Sequence, residues 1–437
     1  MIGRELVRRA VEDVSGQLAH WAHDGAKGST GTAGAGDSVA VAQQMVDEWL
    51  GAQARTAIRD GGERLSADDE SALATAVLDH IFGLGDLQQY LDDPRVESVF
   101  VNGYDNVHVR RTGQPVLPAD PIGDSDAELE SMVRRLAARE GMSERRFDES
   151  SPFVNLTLRD GSRLHAAMAV CARPSITIRR HRLLDASLDD LVNLRMLTDE
   201  LRSLLETAIL VQCNVVIAGG PNAGKSSLLR TLASAIPSDM RIVTIEDTYE
   251  LFLDQDRRRH PNCVALEGRP ANVQSEGAIT LADLVYQALR MGPDVLVVGE
   301  VRGPEVVPML DALSAGNAAG SMCTVHARST LGTFDRLKGL LAQAPERYGA
   351  EASASLIATA VDLVVHIATT TQRDGSLHRW VDSVQEVRHA EGATIVSNEL
   401  VRVDVDGRMT HLAPLSGELK GRLIDVGYDL AEWRAYA

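Results

Sequence analysis

VVIAGGPNAGKSSLLRTLASAI, residues 215–236, is the stretch on which the fold turns. The short apolar run from Val215 to Gly219 reads as a strand covered on both faces, and SSLLRTLASAI carries the helical period. Between them, Gly219-Gly220-Pro221-Asn222-Ala223-Gly224-Lys225-Ser226 fits G-x-x-x-x-G-K-[ST], a loop that wraps phosphate. The chemistry asks for these residue types. Glycines let several backbone N–H groups point inward, and the following helix adds its positive end. Lys225 is expected to reach the β- and γ-phosphates and the Ser226 hydroxyl to bind Mg²⁺, with Ser227 closing the phosphate set. Strand, loop and helix in this order imply that a nucleoside triphosphate binds; they leave hydrolysis open.

Outward from the loop, apolar strands alternate with helical patterns, the mark of an α/β fold with a parallel sheet. RIVTI (241–245), VLVVG (295–299) and MCTVH (322–326) are the further core strands. Two of them run into acids, Glu246-Asp247-Thr248-Tyr249-Glu250 and Glu300-Val301-Arg302, at the strand ends where ligands of open α/β sheets gather. Asp294 precedes its strand and Glu300 follows it, roughly 20 Å away, which predicts Glu300 near the phosphates and Asp294 at the far rim. Glu300 is therefore the residue expected to organise Mg²⁺ or the attacking water. Glu246 and Glu250 read either as further acids or as a solvated loop pair. His326, at a strand end, reads either as a hydrogen-bonded structural residue or as a sensor. Arg290, Arg302, Arg163, Arg179 and Arg180 could each neutralise phosphate charge, or serve in surface ion pairs.

The chain of 437 residues predicts more than one domain, and its 44% hydrophobic content is enough for buried cores. A net charge of −18 argues against a surface that grips nucleic acid throughout. No run approaches the length and apolarity of a spanning helix, and the start lacks a signal-peptide core, so a cytoplasmic protein that meets the membrane only through partners is expected. Cys171, Cys213, Cys263 and Cys323 form no C-x-x-C pair and read as reduced thiols in a reducing compartment.

Before the phosphate loop, residues 1–65 read as a helical extension whose Gly/Ser/Thr/Ala tract, Asp24 to Asp37, is a flexible linker. Residues 66–182 read as an α+β domain with strands at 97–103, 106–111, 154–158, 162–170 and 175–180. Residues 183–198 read as a linker and 199–437 as the nucleotide domain.

The ordered boxes RIVTIEDTYEL, RPANV, LVYQALRMGPDVLVVGEVRGPE and the Gly316–Ala327 segment resemble the secretion-ATPase superfamily of type II and type IV secretion and pilus systems. Its CpaF-type branch, the tight-adherence (Tad/Flp) pilus ATPases, is the nearest likeness, and GLGDLQQYLDDPRVESVFVNG, LRDGSR and SITIRR extend it into the preceding domain. The resemblance implies a RecA-like core beside an α+β domain, ATP and Mg²⁺ as ligands, and a hexameric ring docked on inner-membrane platform proteins, with no direct nucleic-acid contact. It favours Glu250 and Glu300 as catalytic acids supported by Glu246 and Asp247, with Arg302 and His326 beside them. It also implies Arg163, Arg179 and Arg180 as residues approaching the phosphates. Asn317 departs from the usual Gly-His pair of the last box and cannot carry a proton there. A conjugation or type IV secretion ATPase, or a non-hydrolysing nucleotide-dependent scaffold, are the other functions the sequence accommodates.

Overall fold

The computed structural model describes residues 4–28, 35–61, 64–140, 147–158, 160–180, 186–269, 277–316 and 318–429. They form two compact units, residues 1–112 with 116–180 and residues 113–115 with 181–437.

The first unit opens with three helices, α1 (Arg4–Gly28), α2 (Ala35–Arg59) and α3 (Ala67–Phe82). Their apolar stripes close on one another through Ala10, Val14, Val46, Trp49, Leu73 and Val77, and the Trp49 indole N–H donates to Asp13 at 2.8 Å. Ser66 caps α3 by accepting from the Asp69 N–H. Of the tract expected to be a linker from Asp24 to Asp37, residues 24–28 belong to α1 and 35–37 to α2, and residues 29–34 lie outside the described residues. Once a helix is nucleated, each added residue costs little, and Ala26 and Lys27 are good helix formers.

After the short helix α4 (Gln88–Asp92) come β1 (Val96–Asn102), β2 (Val107–Arg111), β3 (Val116–Ala119), α5 (Asp126–Glu140), β4 (Phe153–Thr157), β5 (Arg163–Ala167) and β6 (Ser175–Arg179). The strands form one antiparallel sheet in the order β3-β2-β1-β6-β5-β4. Alternation is the cause: Val99, Val101, Leu164, Ala166, Ile176 and Ile178 point to the core, while Arg163, His165, Thr177 and Arg179 take the other face.

In the second unit, α6 (Leu188–Asn193), held by a Ser187/Asp190 capping box, occupies the stretch read as a linker. Then follow α7 (Asp199–Leu210), β7 (Val215–Gly219), α8 (Lys225–Ala233), β8 (Ile242–Glu246), β9 (Cys263–Glu267), α9 (Leu281–Leu289), β10 (Val295–Val301), α10 (Val306–Ser314), β11 (Met322–His326), α11 (Thr330–Gln343) and α12 (Ala350–Ala360). The chain finishes with β12 (Leu363–Thr371), β13 (Leu377–Glu391), β14 (Thr394–Val403), β15 (Met409–His411) and α13 (Gly417–Asp425). The sheet order is β15-β14-β13-β12-β7-β11-β10-β8-β9; β12 through β9 run parallel, and β13, β14 and β15 are added antiparallel. Leu204, Leu228, Leu232 and Leu423 pack one face, and Val285, Leu310, Leu337 and Ile357 the other. Both faces are covered, which is why the central strands are apolar without alternation.

One polar residue ties the strand starts together. Asn214 is buried; its side chain donates to the Ala360 carbonyl at 2.9 Å and accepts from the Ser321 N–H at 3.1 Å. Its backbone N–H donates to Asp362. Asn214→Ala strands two buried backbone groups, so chemical denaturation should show the second unit losing about 2–4 kcal/mol, with a lowered midpoint and an unchanged slope.

Candidate functional site

The phosphate loop leaves β7 at Gly219 and enters α8 at Lys225. Two of its residues take left-handed backbone, Asn222 at φ 59° and Gly224 at φ 93°. Gly219 is closely packed as well, since a Cβ there would lie 2.9 Å from the Ile367 carbonyl oxygen. Gly220, Pro221 and Asn222 form the outer rim of the turn, whereas Ala223 is buried beneath it. Ser226 and Ser227 begin the first turn of α8, both half-buried.

Parallel register delivers the partners. Gly219 lies between His326 of β11 and Ile367 of β12. The buried Lys225 donates from Nζ to the Gly220 carbonyl at 3.1 Å and to His326 Nδ1 at 3.2 Å. The other ring nitrogen, Nε2, stands 2.9 Å from Glu300 Oε1 and donates to it, which assigns the neutral Nε2–H tautomer. Ser226 Oγ donates to Glu250 Oε2 at 3.0 Å. The loop, His326, Glu250 and Glu300 thus meet at one sheet edge. Asp294 lies at the opposite edge, where it accepts from the Arg241 backbone N–H.

Electrostatics follow from this packing. Burial pushes the Lys225 ammonium below its ordinary value, and the charges of Glu300 and Glu250 oppose that shift. Burial also lowers His326, helped by Lys225 and opposed by Glu300, so the ring is neutral at pH 7. Burial pushes the Cys213, Cys263 and Cys323 thiols up to about 12, which makes them inert packing groups; Cys171 is exposed.

Other expected residues land elsewhere. Glu246, read as a supporting acid, is a structural clamp: only 3% exposed, it accepts from the Glu250 and Leu251 N–H groups at 2.9 and 3.0 Å and so shapes the acidic turn. Both donors meet the same oxygen, Oε2, so this carboxylate supports Glu250 by fixing its backbone. Asp247 pairs with Arg302 at 2.9 Å across the two acidic loops, both about half exposed. Arg163, Arg179 and Arg180 belong to the first unit. Arg163 and Arg179 are direct cross-strand partners, and Arg180 donates to the Asp93 carbonyl. Asn317 and residues 270–273 of RPANV lie outside the described residues.

Three contributors escaped the sequence reading. Glu305 accepts from the Arg302 and Gly303 N–H groups at 2.6 and 2.7 Å and fixes the loop after β10. Arg230 of α8 donates to the Leu251 carbonyl, joining the phosphate helix to the acidic turn. Arg379 of β13 donates to the Asn222 carbonyl. Glu305 follows a Gly-Pro turn signal that could have marked it; the two arginines carry no local signal.

All oxygen donors here suit Mg²⁺, a hard cation. Among the described residues no cluster of three His, Cys, Asp or Glu is placed to hold a metal ion.

Residues 83–410 match the family model for type II/IV secretion system proteins. The chain belongs to that family. A Mycobacterium tuberculosis protein named for conjugal transfer is 36% identical over 60% of this chain and 74% of its own. The conjugal transfer protein TrbB of Rhizobium radiobacter is 30% identical over 69% of this chain and 86% of its own. The type IV secretion system protein VirB11 of Brucella suis is 30% identical over 68% and 88%. Among solved structures, the Legionella pneumophila ATPase DotB superposes with a TM-score of 0.50 at 16% identity, covering 72% of this chain and 82% of that one, a likeness of fold. The architecture of this secretion-family chain is a RecA-like core accompanied by an α+β domain.

The neutral His326 generates a pH test. Because the fold holds its pKa below the ordinary 6.5, its contribution is complete above that value and fades as pH falls through it. For nucleotide-free protein, the melting temperature of wild type minus that of His326→Gln should shrink between about pH 7.5 and about pH 5.5. A constant difference would contradict the assigned neutral tautomer.

Proposed function

We propose that this chain is the motor subunit of a secretion or pilus-assembly machine and turns ATP hydrolysis into movement between its two units. The chain is an ATPase of the type II/IV secretion family; the proposal concerns its residues, its assembly and its work. The observation that carries it is the meeting of Lys225, Ser226, Glu250 and Glu300 at one sheet edge, each within a hydrogen bond of another or of the bridging His326.

In this reading the loop amides of residues 220–226 cradle the phosphates and Lys225 leaves His326 to contact the β- and γ-oxygens. Ser226 and Glu300 help to hold Mg²⁺, which supplies positive charge to the phosphoryl oxygens when bound. Glu300, set free from His326, orients the water that attacks the γ-phosphorus and takes its proton, giving ADP and phosphate. Glu250, held by Glu246, orients Ser226. Arg163 and Arg179 sit directly opposite each other on β5 and β6, a pair of guanidinium groups suited to phosphate oxygens. Together with Arg180 they are the cations proposed for the acid-rich edge, while Arg302 stays paired with Asp247.

Assembly into a hexameric ring at a membrane platform fits the family, and no helix among the described residues is long and apolar enough to cross a membrane. Tad-type pilus assembly is the specific system we favour on the sequence boxes. Conjugal transfer is the second reading, favoured by the names of the Mycobacterium and Rhizobium relatives.

Glu300→Gln should bind ATP with near wild-type affinity and lose at least ~100-fold in turnover, the scale of a lost general base. Phosphate release and nucleotide binding measured on the same purified oligomer decide it. Wild-type turnover in that variant would sink the catalytic assignment. A wild-type rate no higher than that of Lys225→Ala would instead favour a nucleotide-dependent scaffold.

A further inference from the structure

The three acid- and histidine-bearing strands, β11, β10 and β8, all lie on one side of β7. On the other side β12 runs parallel to β7 with Ile367 opposite Gly219, continues four residues further, and turns back as β13. Arg379 faces Thr369 in that hairpin, two residues past the Gly219 row, about 7 Å beyond the sheet edge. From there its Nε donates to the Asn222 carbonyl at 2.9 Å. Its Cδ stands 3.7 Å from where a Cβ on Gly224 would sit, beside Met196. A triphosphate whose terminal phosphate meets Lys225 and the carboxylates directs its inner phosphates and nucleoside away from them, towards this flank.

We infer that Arg379 is a positioning residue for nucleotide binding, acting through the backbone of the phosphate loop. The point of action is Asn222, the one non-glycine residue of the loop with left-handed backbone, a conformation an L side chain resists. A trans peptide is planar, so fixing the Asn222 oxygen fixes the Ala223 N–H on the opposite side. That N–H donates to the Gly220 carbonyl at 3.3 Å, and the same carbonyl accepts from Lys225 Nζ. The guanidinium therefore holds from outside the turn that Lys225 holds from within. A loop braced on both sides by the protein's own groups would need less ordering from the nucleotide on binding. The hairpin that carries Arg379 belongs to strands added beyond the parallel sheet, so loop shape is governed from the C-terminal half of the unit.

This inference rests on the nucleotide reading above, and the test separates the two. ADP with Mg²⁺ is titrated calorimetrically into wild type, Arg379→Ala, Arg379→Ala with Asn222→Gly, and Lys225→Ala. Arg379→Ala should weaken ADP binding roughly tenfold, the scale of one left-handed residue left unsupported. Glycine accepts that backbone without strain, so Asn222→Gly in the same background should recover most of the loss. A general structural defect would not respond to glycine at 222. If Arg379→Ala proves unstable, Arg379→Gln carries the same comparison. Unchanged affinity in the Arg379 variant while Lys225→Ala loses binding overturns the inference alone, as does a loss that Asn222→Gly fails to relieve. Unchanged affinity in Lys225→Ala overturns the nucleotide reading itself.

Discussion

Parallel pairing of β7 with β11 on one side and β12 on the other sets a single row, His326–Gly219–Ile367, and that row decides what can reach the phosphate loop. Register in a sheet buried on both faces is tightly specified, because a slip of one residue would turn every strand end to the wrong face. With the row fixed, His326 falls beside Lys225, and Glu300 on the next strand falls beside His326. The same row sends the β12–β13 hairpin past the other flank of the loop. Chemistry on both sides of β7 thus descends from one backbone alignment.

The acids and the cation at this edge depend on each other. Lys225 is buried, which disfavours its charge, and two carboxylates nearby offset part of that shift. The neutral imidazole links the lysine to Glu300, so each charged group has a partner. A nucleotide that claims the lysine removes one end of that relay. The geometry makes the freedom of Glu300 conditional on what Lys225 is doing, a coupling that needs no motion larger than a side-chain turn.

How much of this was readable from the residues depends on the range of the forces involved. The phosphate loop was legible because its spacing and its flanking strand and helix are local. Asp294 and Glu300 were separable by strand arithmetic, since six extended residues span the sheet whatever surrounds them. β3 and β9 were not foreseen: Val116–Ala119 is an exposed edge strand containing proline, and Cys263–Glu267 is half-buried, so neither shows a clean period. Glu246 and Glu250 were not told apart in detail, because two carboxylates four residues apart look alike in sequence. Only the turn between them shows which one is consumed by backbone N–H groups. Arg379 lies 157 residues from the carbonyl it holds, and nothing local in LHRWV distinguishes it.

Charge accounting at the edge points outward from the second unit. Glu250 and Glu300 already oppose one lysine, with His326 neutral, and Asp247 is matched by Arg302. A triphosphate adds several negative charges to these groups, while the nearby Arg230 and Arg379 donate to the Leu251 and Asn222 carbonyls. Mg²⁺ can neutralise part of that load, but it also uses the carboxylates it binds. In the proposed motor the remaining charge would be met by further guanidinium groups, and Arg163 and Arg179 of β5 and β6 are chemically suited to the task. An enzyme that must borrow cations to close its site hydrolyses only when those cations are brought up. In such a design the chemical step is tied to the position of a separate body, which is the requirement a motor has to meet.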